Sequence, residues 1–250
     1  MNLARWDQRI RRADELAAAE PSAAAVLGFY RQVAACQKAL YRHLLDLPAA
    51  DLDALASRTP RFLAEMQSFA PEPIARAAAE WRKRDARELL ETCQSPASAV
   101  TGPDALLAWL ALQPYLEHLA DRSASALEKG SSRLCPFCGR KPIVAVLRPE
   151  GDGGKRSLIC AWCATEWGIG RILCVACGEE SPGKLSTYTA AQIPHVRVEA
   201  CDTCRCYLKT VDLTVNGRAV PVVDELATLP LNLWAEQQGY VKLHANILGL

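Results

Sequence analysis

The chain has 250 residues, half of them hydrophobic and 23% charged, and these ordinary globular values argue against long disordered stretches. No apolar run approaches the roughly 18 residues that a membrane-spanning helix needs, so we expect no insertion into a membrane. The net charge is only +1, and the acidic Asp14 and Glu15 follow Arg11 and Arg12 where an export signal would need an apolar stretch. We therefore expect a cytoplasmic protein of two or three structural units.

The first 130 residues are rich in Ala, Leu and Arg, and their apolar residues recur at helical spacing. One stripe contains Leu3, Trp6, Ile10, Ala13 and Ala17. A second and clearer stripe contains Val26, Leu27, Tyr30, Val33, Ala34, Leu40, Tyr41, Leu44 and Leu45. Proline precedes and follows this second stripe, at positions 21 and 48, where it would start and stop a helix.

Prolines also mark further helices in this half. We expect helices to begin near Arg61, at Pro73 and at Pro103, and Pro114 to kink or divide the last one. The pattern predicts an antiparallel bundle of five or six helices. It fades into small and polar residues at 121–133, which is typical of a connection between domains.

After this connection the periodicity indicates strands. Residues 143–148 and 155–159 flank a glycine-rich turn suited to a hairpin, and Asn216-Gly217 predicts another hairpin later. Residues 224–240 predict a broken helix that ends at Gly239, a good C-terminal cap.

Nine of the eleven cysteines lie in this second half, eight of them as CxxC pairs. The pairs are separated by 21, 10 and 23 residues, which is a tandem repeat of CxxC, hairpin and CxxC. The pairs are Cys135/Cys138, Cys160/Cys163, Cys174/Cys177 and Cys201/Cys204.

Two cysteines three residues apart can coordinate the same tetrahedral ion, and four thiolates complete the coordination of zinc or iron. Gly139 and Gly178 follow the first pair of each copy, whereas Ala164 and Arg205 follow the second pair. Because this asymmetry repeats with the copy, we predict that the four cysteines within each copy bind one ion. A crossed grouping, with the first pair joined to the third, remains open, and spacing does not separate zinc from rubredoxin-type iron.

The remaining cysteines and other reactive side chains have ordinary interpretations. Cys206 is a spare ligand, a reactive thiol or a packed strand residue, and we expect Cys36 and Cys93 in the helical core. We interpret His195 as an exposed loop residue and Glu166 as a carboxylate without a partner.

Function classes other than metal binding find little support. The segment 81–88 looks basic but has carboxylates at i,i+4 spacing, which favours a salt-bridged solvent face over a nucleic-acid contact. His43, His118 and His244 have no partner at ligand spacing. Phosphate-loop, nucleophile-elbow and zincin motifs are absent from the sequence, so we expect no enzyme.

Several segments of the second half have a distinctive residue pattern, namely CPFCGRKP, LICAWCATEW, CVACGE, CDTCRCYLKTVDL and the ending DELATLPLNLWAEQQGYVKLHANILGL. Together they resemble the FdhE family of formate dehydrogenase accessory proteins. The segment RADELAAAEPSAAAVLGFYRQVAACQ is similar to the first helices of that family, although its members often begin with a longer leader.

This resemblance implies a cytoplasmic, non-enzymatic factor that acts on the catalytic subunit of a respiratory formate dehydrogenase before twin-arginine export. It also implies rubredoxin-like iron, with zinc as the close alternative, in two mononuclear tetrathiolate sites. The eight CxxC cysteines are the residues to which a role carries over, and Thr165, Glu166 and Trp167 match a recurring TEW segment expected to pack the ribbon. The sequence does not indicate an oligomeric state.

Two rivals remain. A nucleic-acid-binding zinc ribbon would need a basic stripe, yet residues 131–215 carry 11 Lys and Arg against 8 Asp and Glu, and two tetrathiolate sites would contribute −4. A rubredoxin-like electron carrier would need exposed metal in a small domain.

The predicted fold class is α+β. We expect an all-α helical bundle over 1–130, a first rubredoxin-like or zinc-ribbon module over 131–172, and a second module over 173–250, each module with a four-cysteine metal site.

Overall fold

The computed structural model describes residues 3–47, 51–92, 102–123, 132–151 and 153–246. The chain divides into two compact units, one of residues 1–14 and 27–125 and the other of residues 15–26 and 126–250. Within the described residues, every helix is too short or too polar to cross a membrane. The division into three domains stays a prediction.

The first half is helical, as predicted. Its helices are α1 (Leu3–Ala19), α2 (Ala24–Leu45), α3 (Leu52–Phe69), α4 (Glu72–Trp81), α5 (Ala86–Thr92) and α6 (Gly102–Ser123), with a short 3-10 turn at Pro21–Ala23. The predicted stripes face the interior, where Trp6 and Leu27 are fully buried. Pro48 and Cys93 lie outside the described residues, as does most of the predicted connection.

A buried ion pair accompanies the apolar core of the helical unit. Arg9 of α1 donates a 2.8 Å hydrogen bond to Glu117 of α6, and their side chains are 3% and 0% exposed. Arg5 approaches the same carboxylate at 3.0 Å. The apolar stripe of α1 gave no sign of this pair, because Arg9 occupies a position between the stripe residues.

The predicted start of the third helix was wrong, and α6 is not divided at Pro114. The third helix begins nine residues before Arg61, because the Asp51 side chain accepts a hydrogen bond from the Ala54 backbone and so caps a first turn. Pro60 lies inside that helix and Pro114 inside α6, and the helix continues through both.

The basic-looking segment forms ion pairs, as predicted, but it is not one helix. It contains the turn between α4 and α5, where Glu80 pairs with Lys83 instead of Arg84. Arg84 pairs with Glu88, and Arg87 pairs with Glu91, across the surface.

In the described part of the second half, seven strands form one mixed sheet. The strands are β1 (Pro142–Glu150), β2 (Gly153–Cys160), β3 (Glu166–Gly168), β4 (Leu185–Ala190), β5 (Ile193–Cys201), β6 (Cys206–Asp212) and β7 (Val241–Lys242). Both hairpins predicted between CxxC pairs are present, β1 with β2 and β4 with β5.

The two repeat copies join head to tail in this sheet. The strand order is β3-β2-β1-β6-β5-β4, and β1 pairs with β6 in parallel, so the first strand of the first copy meets the last strand of the second. Strands of both predicted ribbon modules therefore lie in one sheet.

A buried arginine ties the copies together. Arg156 of β2 is 5% exposed and donates to the carbonyl oxygens of Gly170 and Leu173, in the segment that leads to Cys174. It also pairs with Glu199 of β5 at 2.7 Å. Hydrogen bonds between charged and carbonyl groups are strong where water is excluded, so Arg156 fixes the path between the copies.

The prediction of a hairpin at Asn216-Gly217 was wrong. The chain turns after β6 and then forms α7 (Pro221–Ala227), because Pro221, with its fixed φ, occupies the first helical position. The broken helix is confirmed as α7 and α8 (Leu229–Gln237), and Gly239 has a φ of +76° after it.

A second buried charge cluster anchors α7 to the sheet. Lys209 of β6 is fully buried and lies 2.9 Å from the Glu225 carboxylate, which Lys242 also approaches, at 2.6 Å. The Lys209 ammonium also donates to Thr228 Oγ1 at 3.1 Å. Burial lowers the pKa of Lys209 to about 8 although Glu225 opposes this shift, so the lysine is mostly protonated at pH 7.

Glu225→Ala should therefore lower the free energy of unfolding by about 3–5 kcal/mol, because it leaves two ammonium groups buried without their carboxylate. Chemical denaturation followed by tryptophan fluorescence measures this loss. Glu236→Ala, at an exposed position of α8, is the control and should cost less than about 0.5 kcal/mol. Equal effects of the two substitutions would contradict the anchoring role of Glu225.

Candidate metal centres

The structure brings together the four cysteines of the first copy. Cys135 and Cys163 lie with their sulfur atoms 3.5 Å apart, Cys138 and Cys160 with theirs 3.4 Å apart, and Cys163 lies 3.6 Å from Cys138. All four sulfur atoms are within 4.8 Å of one another.

The second copy repeats this arrangement. The sulfur atoms of Cys174 and Cys204 are 3.7 Å apart, as are those of Cys177 and Cys201, and all four are again within 4.8 Å of one another. The grouping within each copy is therefore confirmed, and the crossed grouping is excluded by the same geometry. We refer to these groups as the first cluster and the second cluster.

These distances fit a tetrahedral ion. A metal–sulfur bond of about 2.3 Å places the sulfur atoms of a regular tetrahedron about 3.8 Å apart, close to the spacings in both clusters. Four cysteine sulfurs are also the donor set that zinc and rubredoxin-type iron share, so either metal fits. Histidine and carboxylate ligands are absent from both clusters among the described residues.

The same backbone turn forms each half of each cluster. The residue after the second cysteine of every pair has a positive φ, namely Gly139 at 70°, Ala164 at 52°, Gly178 at 87° and Arg205 at 57°. The N–H of this residue donates to the carbonyl of the first cysteine at Gly139, Gly178 and Arg205. The asymmetry noted in the sequence therefore concerns residue type alone, since all four positions adopt the left-handed conformation.

Arg205 adopts this unfavourable conformation with the help of tertiary contacts. Its guanidinium lies 3.9 Å over the ring of Tyr240 and donates to Asp202 at 3.0 Å and to the carbonyl of Gln238. Its own carbonyl accepts from Val241 at 2.7 Å. A left-handed residue other than glycine costs about 1–2 kcal/mol, and these contacts offset that cost.

Four thiols at these distances cannot all ionise by themselves. Hydrogen bonds from the other three sulfurs lower the pKa of Cys135, whereas the same contacts and burial raise the pKa of Cys160. Burial raises the pKa of Cys174, and the backbone N–H groups of Cys177 and Ala176 oppose that rise. A divalent cation would remove this conflict, because it stabilises all four thiolates at once.

The two other cysteines that the structure describes lie outside the clusters. Cys206 is half-buried at the first position of β6, and Cys36 is 9% exposed in α2, as expected for a core residue.

The prediction that His195 lies in an exposed loop was wrong. It lies in β5 with its side chain 16% exposed, and its Nε2 is 2.9 Å from the Asp224 carboxylate, because α7 packs across the sheet there.

The TEW segment packs the first copy, as expected. Trp167 is buried, and its indole N–H donates to the Ser132 carbonyl at 2.7 Å. Glu166 was wrongly described as lacking a partner, since Arg148 donates to both of its carboxylate oxygens at 2.7 Å across the sheet. The ion pair joins β1 to β3 across β2, and no local sequence signal indicates either the ion pair or the strand pairing that brings its residues together.

The chain is similar in sequence to proteins of one known family. Family models match residues 134–171 as "FdhE, central domain" and residues 172–248 as "FdhE, C-terminal domain". A "Protein FdhE homolog" from Edwardsiella ictaluri is 30% identical over 240 residues, which cover 84% of this chain and 77% of that protein. The chain belongs to the FdhE family. The resemblance seen in the sequence is thus confirmed.

Other members extend the comparison. A homologue from Aquifex aeolicus is 34% identical over 139 residues, 55% of this chain, and "Protein FdhE" from Escherichia coli is 28% identical over 274 residues, 96% of this chain and 86% of that protein. The matched stretch spans about half the length of several curated FdhE relatives, 49% in Aquifex aeolicus. A crystal structure of the FdhE protein from Pseudomonas aeruginosa matches with a TM-score of 0.75 at 25% identity, covering 99% of this chain and 96% of that one.

The grouping of the sulfur atoms predicts how paired substitutions affect bound metal. Cys135→Ser with Cys160→Ser should leave one ion per chain, because both changes fall in the first cluster. Cys135→Ser with Cys174→Ser should leave none, because one change falls in each. Metal analysis after anaerobic purification measures the ratio, and Cys206→Ser, which should retain two ions, is the control. Equal loss in both double variants would contradict separate centres.

The positive φ at the turns predicts opposite effects of adding a methyl group to two glycines. Gly139→Ala should lower the stability of the metal-loaded protein by about 1 kcal/mol, since its Cβ meets no atom within 4 Å and only the backbone is strained. Gly28→Ala in α2, equally free of contacts, should raise stability by about 0.5–1 kcal/mol. Chemical denaturation tests both, and a stabilising Gly139→Ala would refute the argument.

Proposed function

We propose that this protein is a metal-binding accessory factor for the maturation of formate dehydrogenase. The observation that carries the proposal is the pair of four-cysteine clusters on one sheet, in a chain that belongs to the FdhE family. In this proposal each cluster holds one tetrathiolate ion, through Cys135, Cys138, Cys160 and Cys163 or through Cys174, Cys177, Cys201 and Cys204. Iron is the favoured ion by family resemblance, and zinc is the alternative.

The protein would act by binding and not by catalysis. In this proposal all four cysteines of each cluster are ligands. A tetrahedral ion held there has no open coordination position at which a substrate could bind. Such closed sites usually contribute folding energy, on the order of 10 kcal/mol for a structural ion. The ions would thus shape a rigid surface that a partner recognises.

The partner in this proposal is the catalytic subunit of a respiratory formate dehydrogenase. The accessory protein would bind that subunit in the cytoplasm before its export by the twin-arginine route. Nucleic acid is a poor partner, because residues 131–215 have an excess of only three basic residues before the charge of two −2 centres is counted.

An anaerobic pull-down from the native host tests the partner. The tagged protein should enrich the formate dehydrogenase catalytic subunit, identified by mass spectrometry. Cys135→Ser with Cys174→Ser should reduce its recovery at least about tenfold, the loss expected when about 1.4 kcal/mol of binding free energy disappears. Cys206→Ser, which changes a cysteine outside both clusters, should recover as much as the parent.

Two outcomes would overturn the proposal in different ways. Recovery of RNA polymerase or ribosomal proteins in place of the dehydrogenase would favour a nucleic-acid-associated zinc ribbon. Full recovery of the catalytic subunit by the doubly substituted protein would retain the partner but separate its recognition from the metal centres.

A further inference from the structure

The two clusters differ in how exposed their cysteine residues are. In the first cluster Cys135, Cys160 and Cys163 are 3%, 1% and 1% exposed, and Cys138 is half-buried. In the second cluster Cys177 is exposed and Cys204 is half-buried. The same ligand geometry is therefore enclosed in one copy and open in the other.

The sequence differs between the copies next to the ligands, and we take this difference as the hypothesis for the cause. The residue before the second cysteine of each pair is large in the first copy, Phe137 and Trp162, and small in the second, Ala176 and Thr203. Phe137 and Trp162 are both half-buried, and the Arg140 guanidinium lies 3.4 Å over the Trp162 ring. Thr203 is exposed.

A cavity adjoins the second cluster from another side. Its volume is about 330 Å³, and its walls include Cys174, Cys201 and the non-ligand Cys206. The exposed side chains of Arg171 and Ile172 also line it, so the cavity is reached from solvent. One water molecule needs roughly 10–15 Å³ of such space, so the cavity has room for a small organic molecule.

We propose that the second cluster is the exchangeable metal site of this protein and that the first is a structural site. Ligand exchange at a tetrathiolate centre needs an incoming donor to approach or a cysteine sulfur to leave into water. Cys177 and the cavity beside Cys174 and Cys201 provide both routes, whereas the first cluster has no exposed cysteine and its least buried one, Cys138, is only half-buried. The inference rests on the proposed binding of two ions.

The test uses the full chain loaded with two equivalents of Zn²⁺ and mixed with excess 4-(2-pyridylazo)resorcinol, whose absorbance reports the released metal. We expect two phases of one equivalent each, the first faster by at least about tenfold, a barrier difference of about 1.4 kcal/mol. Iodoacetamide added after the fast phase should alkylate Cys174, Cys177, Cys201 and Cys204, and mass spectrometry should find the cysteines of the first cluster unmodified.

Reciprocal substitutions test the cause. Ala176→Phe should slow the fast phase, and Phe137→Ala should accelerate the slow phase, because each exchanges the side chain found at the matching position of the other copy. Neither substitution removes a sulfur ligand. Should either variant fold poorly, the alkylation pattern of the unsubstituted protein still identifies which cluster releases its ion first.

The outcomes separate this inference from the proposed function. A single release rate, simultaneous alkylation of both clusters, or earlier release from the first cluster would overturn the inference and leave the metal-binding accessory role intact. Failure of the chain to bind zinc or iron at all would overturn the proposed metal centres and this inference with them.

Discussion

The crowding of four cysteine sulfurs within 4.8 Å of one another is the constraint on which the second unit depends. Four neighbouring thiolates repel one another, and thiols are weak hydrogen-bond donors, so neither protonation state is stable there without a cation. The two repeat copies, 135–163 and 174–204, are 29 and 31 residues long, a length at which a chain usually needs a metal or a disulfide to fold. The tetrathiolate geometry therefore supplies what the small core of each ribbon cannot.

The sheet then joins the two centres into one body. The parallel pairing of β1 with β6 extends the sheet from one copy to the next, and Arg156 bonds across the junction to Glu199. On β6, Lys209 lies a few residues after the last ligand, Cys204, and its buried bond to Glu225 holds α7 against the sheet. Strand β6 therefore connects directly to the second cluster at one end and holds α7 through Lys209.

Sequence reasoning reached the features with local signals and missed those that depend on distant partners. The spacing of the cysteines indicated the grouping in each cluster, and the glycine-rich turn indicated the first hairpin. The β1–β6 pairing and the Arg9–Glu117 ion pair join residues more than sixty positions apart, and no periodicity marks them. The Asn216-Gly217 turn misled because a turn signal fixes the bend and leaves the next element, here a helix, undetermined. The cap at Asp51 was missed, since the start of that helix was predicted near Arg61.

The two copies show which positions serve the metal and which serve its surroundings. Both keep the four cysteines and the left-handed residue after each pair, although Ala164 and Arg205 adopt that conformation less readily than glycine. They differ at the residue before the second cysteine, where Phe137 corresponds to Ala176 and Trp162 to Thr203. A side chain at that position is not needed to form the turn, so its size is free to vary. The ligand geometry can therefore stay constant between the copies while access to the sulfur atoms changes.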